Sequence, residues 1–522
     1  MSDHVVNVLP PSVDLESQKF RSQVGHISRH SGAFFAGTIF SVALGYLFKV
    51  YLARTLGAEA LGIYALGMTL VGFIGTFNTL GLVESAVRFA SVYRAANKLE
   101  QLQSLLWRGG GVLLVANAVF AVILLKTGKL VALRFYHSAE LVRYIPWFTA
   151  IMLLGVLSTF YGRILAGYKQ VGRRTLITNF IGSPATMAFA VALISLGWAL
   201  RGYLLAQVLS AVVVIGLLIG FVWKLTPPEA RLSLRWPHKL EREVWSFSAA
   251  AMGVLLLEFL IVQVDKVALG FFRGARDVGI YSVAAAMIAY VSLFLSSVNQ
   301  VFSPVIADLH TRGENMMLGR LYKSLTKWIL GLTLPLAITV MVYARPLLRI
   351  FGHDFEAGWP ILIIGTVGQL INCGVGSVGL LLLMSGHQNR LLRVQAAMAT
   401  LMTVASFALV PVWGIVGAAV AAAVTNAGQN AWNLLEVRKA LGLSPFSRSY
   451  MRLLIPAIMS LATTLILKTL LNVFGRYWVA TGIALLASYV VFGATVAVTG
   501  LDGDDRLVAD ALLSRIRGGF RR

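Results

Sequence analysis

The sequence predicts an all-α integral membrane protein: about 14 transmembrane helices, with two parallel-related six-helix lobes around a central cavity and two C-terminal helices. Three observations predict it. Hydrophobic residues make up 57% of the 522 positions and charged ones only 13%, with a mean hydropathy of +0.77; ordinary soluble domains carry about 25% charged residues, so no water-exposed surface can be assembled here. The apolar residues come in runs of roughly 20, the length of a helical crossing, rather than the alternating 10-residue strands of a membrane barrel. A phrase is also repeated. Lys49-Val50, leading into Gly57-Ala58 and Gly62-Ile63-Tyr64, recurs 217 residues later as Lys266-Val267, Gly274-Ala275 and Gly279-Ile280-Tyr281.

Taken in order, a polar N-terminal segment, 1–30, precedes an N-lobe over 31–224 with spans at 32–53, 60–84, 108–126, 144–166, 175–197 and 202–224. A basic linker with Pro227, Pro228 and Pro237 fills 225–243. The C-lobe, 244–437, has spans at 245–271, 279–305, 324–343, 358–385, 391–411 and 415–435. Two more, 453–473 and 477–499, lie in 438–500, and a charged tail covers 501–522. The repeat extends beyond the opening phrase: Pro146-Trp147 matches Trp359-Pro360, Gly167 matches Gly386, and Trp198 and Gly202 match Trp413 and Gly417. Six spans is an even number, so both copies enter the membrane in the same direction, related by an axis along its normal.

Charge sets the orientation. The formal charge of +23 does not form one nucleic-acid-binding patch; Lys and Arg punctuate the joints between spans. About 31 of them fall on the side holding both termini and about 12 on the other, which predicts both termini in the cytoplasm of a multi-pass cell-membrane protein. In the tail, Val508, Leu512 and Ile516 recur at helical spacing, suiting either an interfacial amphipathic helix or a solvated one. Nothing at the N-terminus reads as a cleavable signal. Cys373 is the single cysteine, the eight histidines are scattered, and no G-x-x-x-x-G-K-[ST] loop occurs, so no metal, cofactor or ATP hydrolysis is expected.

Polar groups inside spans are the candidate site residues, because a charge in hydrocarbon is costly. These are Lys49; Glu84 and Arg88; Glu258, Gln263, Asp265 and Lys266; Asn299 and Gln300; Gln369 and Asn372; and Asn426, Gln429, Asn430 and Asn433. Glu258 and Asp265, two turns apart, share a helix face, whereas Asp265 and Lys266 are about 100° apart and do not pair well. Three readings stand for Lys49 and Lys266: snorkelling to the outer interface, a structural ion pair with Asp265 or Glu258, and anion binding. Glu84 and Arg88, four apart, suit a local salt bridge. The amides near 426–433 suit interhelical hydrogen bonds, and Pro184 and Pro335 suit kinks.

The run Ala53-Arg54-Thr55-Leu56-Gly57-Ala58-Glu59-Ala60-Leu61-Gly62-Ile63-Tyr64 resembles the opening of polysaccharide-exporter flippases of the multidrug/oligosaccharidyl-lipid/polysaccharide superfamily, which includes O-antigen and lipid II flippases. Asp265-Lys266 leading to Val278-Gly279-Ile280-Tyr281, then Phe302-Ser303-Pro304 and Met384-Ser385-Gly386-His387-Gln388, resembles their later segments. The resemblance covers nearly the whole chain. It implies a transporter that is not an enzyme, a polyprenyl-diphosphate-linked oligosaccharide as substrate, and alternating access. Lys49 and Lys266, with Arg54 and Arg273 as outer neighbours, would hold the diphosphate. Glu258, Asp265, Asn299, Gln369 and Asn372 would be polar or coupling residues of the cavity. Expected partners are membrane lipids and a polysaccharide polymerase with its chain-length machinery, with no nucleic acid and a monomeric transporter. Two other functions compete: a cation-coupled multidrug exporter, which would use Glu258 and Asp265, and a sugar polymerase or ligase, for which no outward loop is large enough.

Overall fold

A computed structural model of the chain describes residues 11–231, 239–471 and 477–499, and among these every regular element is a helix. In order, α1 is Pro11–Asn78, α2 Leu82–Ala95, α3 Leu99–Ser104, α4 Gly110–Leu130, α5 Ala139–Gly167, α6 Val171–Thr175, α7 Ser183–Leu193 and α8 Ala199–Leu225. After α9 (Pro228–Arg231) come α10 Arg242–Phe272, α11 Ala275–Val291, α12 Leu293–Thr311, α13 Asn315–Val342, α14 Ala344–Arg349, α15 Trp359–Val375 and α16 Val378–Met384. The rest are α17 Gln388–Trp413, α18 Ile415–Leu441, α19 Arg448–Met451, α20 Leu454–Leu471 and α21 Tyr477–Thr499. The amphipathic pattern at 508–516 lies outside the described residues.

Nine stretches among the described residues are long and apolar enough to cross a membrane, or ten if α11 and α12, bent by 53°, count as one span. One of the nine, Val171–Leu225, is 55 residues long, sufficient for two crossings at about 20 each. These helices leave large apolar side chains outside, such as Val115 on α4 and Leu486 on α21, 65% and 69% exposed. In water such a surface would aggregate; in hydrocarbon it is the solvated face. The chain is a multi-pass membrane protein.

The duplication is visible in the backbone. Residues in the left-handed region recur in pairs: Gly57 with Gly274, Asn97 with Gly313, His137 with Gly352, Lys169 with Gly386, and Gly197 with Gly414. Each pair is separated by 215 to 217 residues, so the corners between helices are repeated along with the helices. Gly57, at φ 80° and ψ 175°, breaks α1 where the sequence places the joint between the first two spans. Among the described residues, π-helical segments, by contrast, fall in the first repeat: Leu105–Gly109, Val131–Phe135 and Leu176–Gly182. Pro184 follows one of these within a continuous helical run, next to the π turn that interrupts the i→i−4 hydrogen-bond ladder. Pro335 lies inside α13, and its carbonyl accepts the Thr339 hydroxyl at 2.8 Å.

By contacts the chain forms two compact units. One comprises Val50–Ser282 and Ala399–Ala421. Its core joins α2, α5, α8 and the start of α10 through Leu82, Phe89, Phe160, Ile164, Leu218 and Val244. Here the part of α1 after Gly57 runs antiparallel to α10, and the contact continues into the start of α11 and the corner after α1. Gly62 meets Ala275, Leu66 meets Gly270, Phe73 packs on Phe259 with ring centroids 5.4 Å apart, and Gly81 meets Ser248. Three glycines in this series remove the side chains that would hold the backbones apart.

The other unit comprises Met1–Lys49, Val283–Met398 and Ala422–Arg522. Phe302, Ile306, Leu321, Tyr322, Leu381 and Val437 form a core where α12, α13, α16 and α18 meet. Tyr343 packs with Ala480 and Ala484 of α21, tying the C-terminal pair to the end of α13.

Candidate functional site

In the unit containing α10, the polar residues of that helix sort themselves by face. Asp265 is buried, 5% exposed. One carboxylate oxygen accepts the Tyr281 hydroxyl at 2.5 Å and the other accepts the Lys266 backbone N–H at 2.7 Å. The Lys266 ammonium turns away and donates to Gln263 Oε1 at 2.6 Å, one turn back. The half-buried lysine is thus positioned by a neutral amide. Glu258 is exposed while Asp265, two turns on, is buried. The two carboxylates therefore occupy different environments despite their spacing.

Tyr281 ends the repeated phrase, and its counterpart Tyr64 is anchored differently. Gln207 Nε2 donates to the Tyr64 hydroxyl at 3.0 Å, and Tyr203 packs on its ring at 4.9 Å. The residue equivalent to Asp265 is Phe48, so only the second repeat supplies an acid at that position. Arg273, exposed at the end of α10, donates to the Pro411 carbonyl at 3.2 Å. With Glu59, His137 and Glu140 it lines a cavity of about 480 Å³ beside the Gly274 corner. Arg54 is exposed on α1, one turn before the break at Gly57.

At the opposite end of α10 a second polar cluster joins the repeats. Glu84 and Arg163 form an ion pair at 2.6 Å, and Arg88 reaches Glu243 at 3.4 Å while lying 4.8 Å over the Phe247 ring. The expected Glu84–Arg88 pair is thus replaced by two pairs reaching other helices. A carboxylate gains more from a guanidinium shielded between helices than from a solvated neighbour on its own turn. Ser85 and Ser248 share a hydrogen bond of 2.6 Å, and Tyr93 donates to Glu241 at 2.7 Å. Burial, and then that bond to a carboxylate, push the Tyr93 phenol above its usual range and keep it a donor.

In the other unit, Lys49 is half-buried on α1. Tyr46, nearly one turn earlier, packs edge-on against Phe351 and Tyr290 at 5.3 and 6.2 Å. Asn299 accepts the Ser377 hydroxyl at 2.5 Å, pinning α12 to the break at Gly376 between α15 and α16. Asn372 donates to Gln369 at 3.0 Å, and Asn430 to Asn426 at 2.7 Å, both within single helices rather than between them. Sequence reasoning passes over Tyr281, Ser377, Arg163 and Glu243; for Tyr281 the repeated phrase itself is an available signal.

Residues 28–310 match the family described as polysaccharide biosynthesis protein. The chain belongs to that family. An uncharacterized membrane protein of Methanocaldococcus jannaschii is 22% identical over 477 residues, covering 87% of this chain and 92% of the relative. The teichuronic acid biosynthesis protein TuaB of Bacillus subtilis is 27% identical over 283 residues, 52% of this chain and 55% of that one. Among solved structures, the lipid II flippase MurJ in an inward closed conformation aligns with a TM-score of 0.68 at 14% identity, covering 88% of this chain and 98% of that one. An inward-facing multidrug resistance transporter of the MATE family aligns with a TM-score of 0.63 at 14% identity, covering 76% of this chain and 94% of that one. At that identity the likeness is one of fold, and it is the all-α transporter fold expected from the sequence.

Proposed function

We propose that this membrane protein is a flippase that carries polyprenyl-diphosphate-linked oligosaccharide from the cytoplasmic to the outer leaflet for polysaccharide biosynthesis, by alternating access. The observation that carries the reading is the family match over residues 28–310. It is a transporter and not an enzyme. In this reading both termini are cytoplasmic, the lobes are 31–224 and 244–437, and the working form is a monomer that hands its product to a polymerase and chain-length machinery.

Lys49 and Lys266, one from each repeat, hold the diphosphate, with Arg54 and Arg273 nearer the outer side. Lysine suits phosphate as a point charge. The 2.6 Å bond from Lys266 to Gln263 supports this role, since it fixes the ammonium in place with a neutral partner. An inside-negative potential assists, at about 2.3 kcal/mol per charge per 100 mV. The buried Asp265 gives cation-coupled drug export a foothold, but its carboxylate is occupied by Tyr281 and a backbone amide.

The test is a Lys49→Ala/Lys266→Ala double variant expressed at wild-type abundance in cells lacking the native gene. Lipid-linked oligosaccharide should accumulate on the cytoplasmic leaflet and surface polymer should fall at least about tenfold, the effect of about 1.4 kcal/mol. Unchanged export would remove the lysines from the site. Unchanged surface polymer in cells without the protein would remove the flippase reading itself.

A further inference from the structure

One cavity lies apart from every residue assigned above. In the unit containing α13 and α20, a space of about 670 Å³ is lined by Arg345, Arg349, Glu356, Trp359 and Lys468 among apolar neighbours. The cations come from distant parts of the sequence: two from α14, and one from the last turn of α20. Three cations against one carboxylate leave a net positive lining. The Glu356 oxygens go to Arg349 at 3.1 Å and His353 at 3.7 Å. The Arg345 guanidinium is held 4.8 Å over the Trp359 ring, and Lys468 Nζ donates to the Val342 carbonyl at 2.8 Å. Stacking fixes the plane of the guanidinium and leaves its N–H edge for a ligand. Lysine has three donors, so one bond to a carbonyl leaves two.

Depth narrows the ligand. The cavity sits where α13 and α20 end and α15 begins, at the surface of the membrane-spanning bundle, and Trp359 belongs to the residue type that anchors at that level. By the charge count this is the side poor in Lys and Arg, so basic residues gathered here are not explained by topology. A basic pocket between the ends of spanning helices recognises anionic headgroups. The geometry points to a binding site for an anionic phosphate group at the outer membrane surface, with Arg345 and Lys468 as its ligands. Two sources supply that chemistry: the headgroup of an acidic phospholipid, and free phosphate.

Purified full-length protein in nanodiscs or detergent tests this by titration with dioleoylphosphatidylglycerol, dioleoylphosphatidylcholine and inorganic phosphate. Phosphatidylglycerol should bind in preference to phosphatidylcholine, and Arg345→Gln/Lys468→Gln should weaken it at least about tenfold. The charge-preserving Arg345→Lys/Lys468→Arg should retain most of the binding, which separates lost charge from a misfolded pocket. Displacement of the lipid by millimolar inorganic phosphate supports the site and assigns it to the free anion; persistence of the lipid supports it as a headgroup site. Equal binding of the two lipids by the wild type, or undiminished phosphatidylglycerol binding by the glutamine variant, overturns the proposal.

Discussion

Gly62 and Gly279 stand against each other's helices. A Cβ at Gly62 would lie 1.7 Å from the Ala275 carbonyl oxygen, and one at Gly279 would lie 1.9 Å from that of Ala58. The two glycines occupy the same place in the repeated phrase, as do Ala58 and Ala275, so the contact is reciprocal about a local two-fold axis. The two copies of the phrase pack on each other.

Any side chain at these positions must therefore push the backbones away from each other. Gly62→Ala and Gly279→Ala are each expected to destabilise the protein by about 1–3 kcal/mol, the range for overpacking a close contact. Thermal unfolding in detergent checks it. A melting temperature equal to that of wild type would mean the helices are not in contact there.

Tyr281→Phe should take the hydroxyl donor from the buried Asp265 carboxylate and leave it the Lys266 amide, at a cost of about 1–3 kcal/mol. Asp265→Asn removes the charge that makes the bond strong. The two substitutions should be non-additive by about 0.5 kcal/mol or more in a double-mutant cycle. Simple addition of the two effects would mean that the hydroxyl and carboxylate do not interact.

The Glu84–Arg163 pair is about a third exposed on each side, so water screens much of its attraction. Glu84→Gln or Arg163→Gln alone is expected to cost about 1 kcal/mol. The swapped pair Glu84→Arg/Arg163→Glu should recover most of the loss, read as resistance to thermal unfolding. Failure of the swap together with a harmless Glu84→Gln would put the partner of Arg163 elsewhere.

Where the second repeat has Gly386, the first has Lys169 at φ 60°, and where the second has Gly352, the first has His137 at φ 50°. A non-glycine residue in this region is strained by about 1–2 kcal/mol, while glycine costs about 0.5–1 kcal/mol in chain entropy. Lys169→Gly and His137→Gly should each raise stability by about 0.5–1 kcal/mol on that balance. Gly386→Ala should lower it. A fall in melting temperature for both glycine variants would show that the side chains contribute more than the backbone loses.

The helices and their joints are legible in the sequence because they depend on local properties: apolar runs of crossing length, and glycines such as Gly57 and Gly274 at the corners. The separation of Asp265 from Lys266 is legible too, since a 100° turn per residue dictates it. Partners are harder to read. Glu84 has a plausible cation four residues away, yet Arg163 takes it, and only packing brings that side chain within 2.6 Å. Asn299 and Ser377 meet across 78 residues for the same reason. Tyr281 looks architectural because its phrase is repeated, whereas its hydroxyl differs in role from that of Tyr64 through a neighbour, Asp265, that the first repeat lacks.

The π-helical turns described in the first repeat imply that the two halves differ in compliance. A wider turn spaces its backbone hydrogen bonds less favourably than an α turn, and one extra residue shifts every side chain beyond it around the helix. The segments Leu105–Gly109, Val131–Phe135 and Leu176–Gly182 thus place soft joints in one copy of a duplicated plan. Amide exchange should be faster at these turns than at the matching positions of α13, α14 and α17. Equal protection would mean the wider turns are as stiff as the narrow ones. Duplication supplied symmetry of shape, and the wider turns give one half the greater freedom to bend.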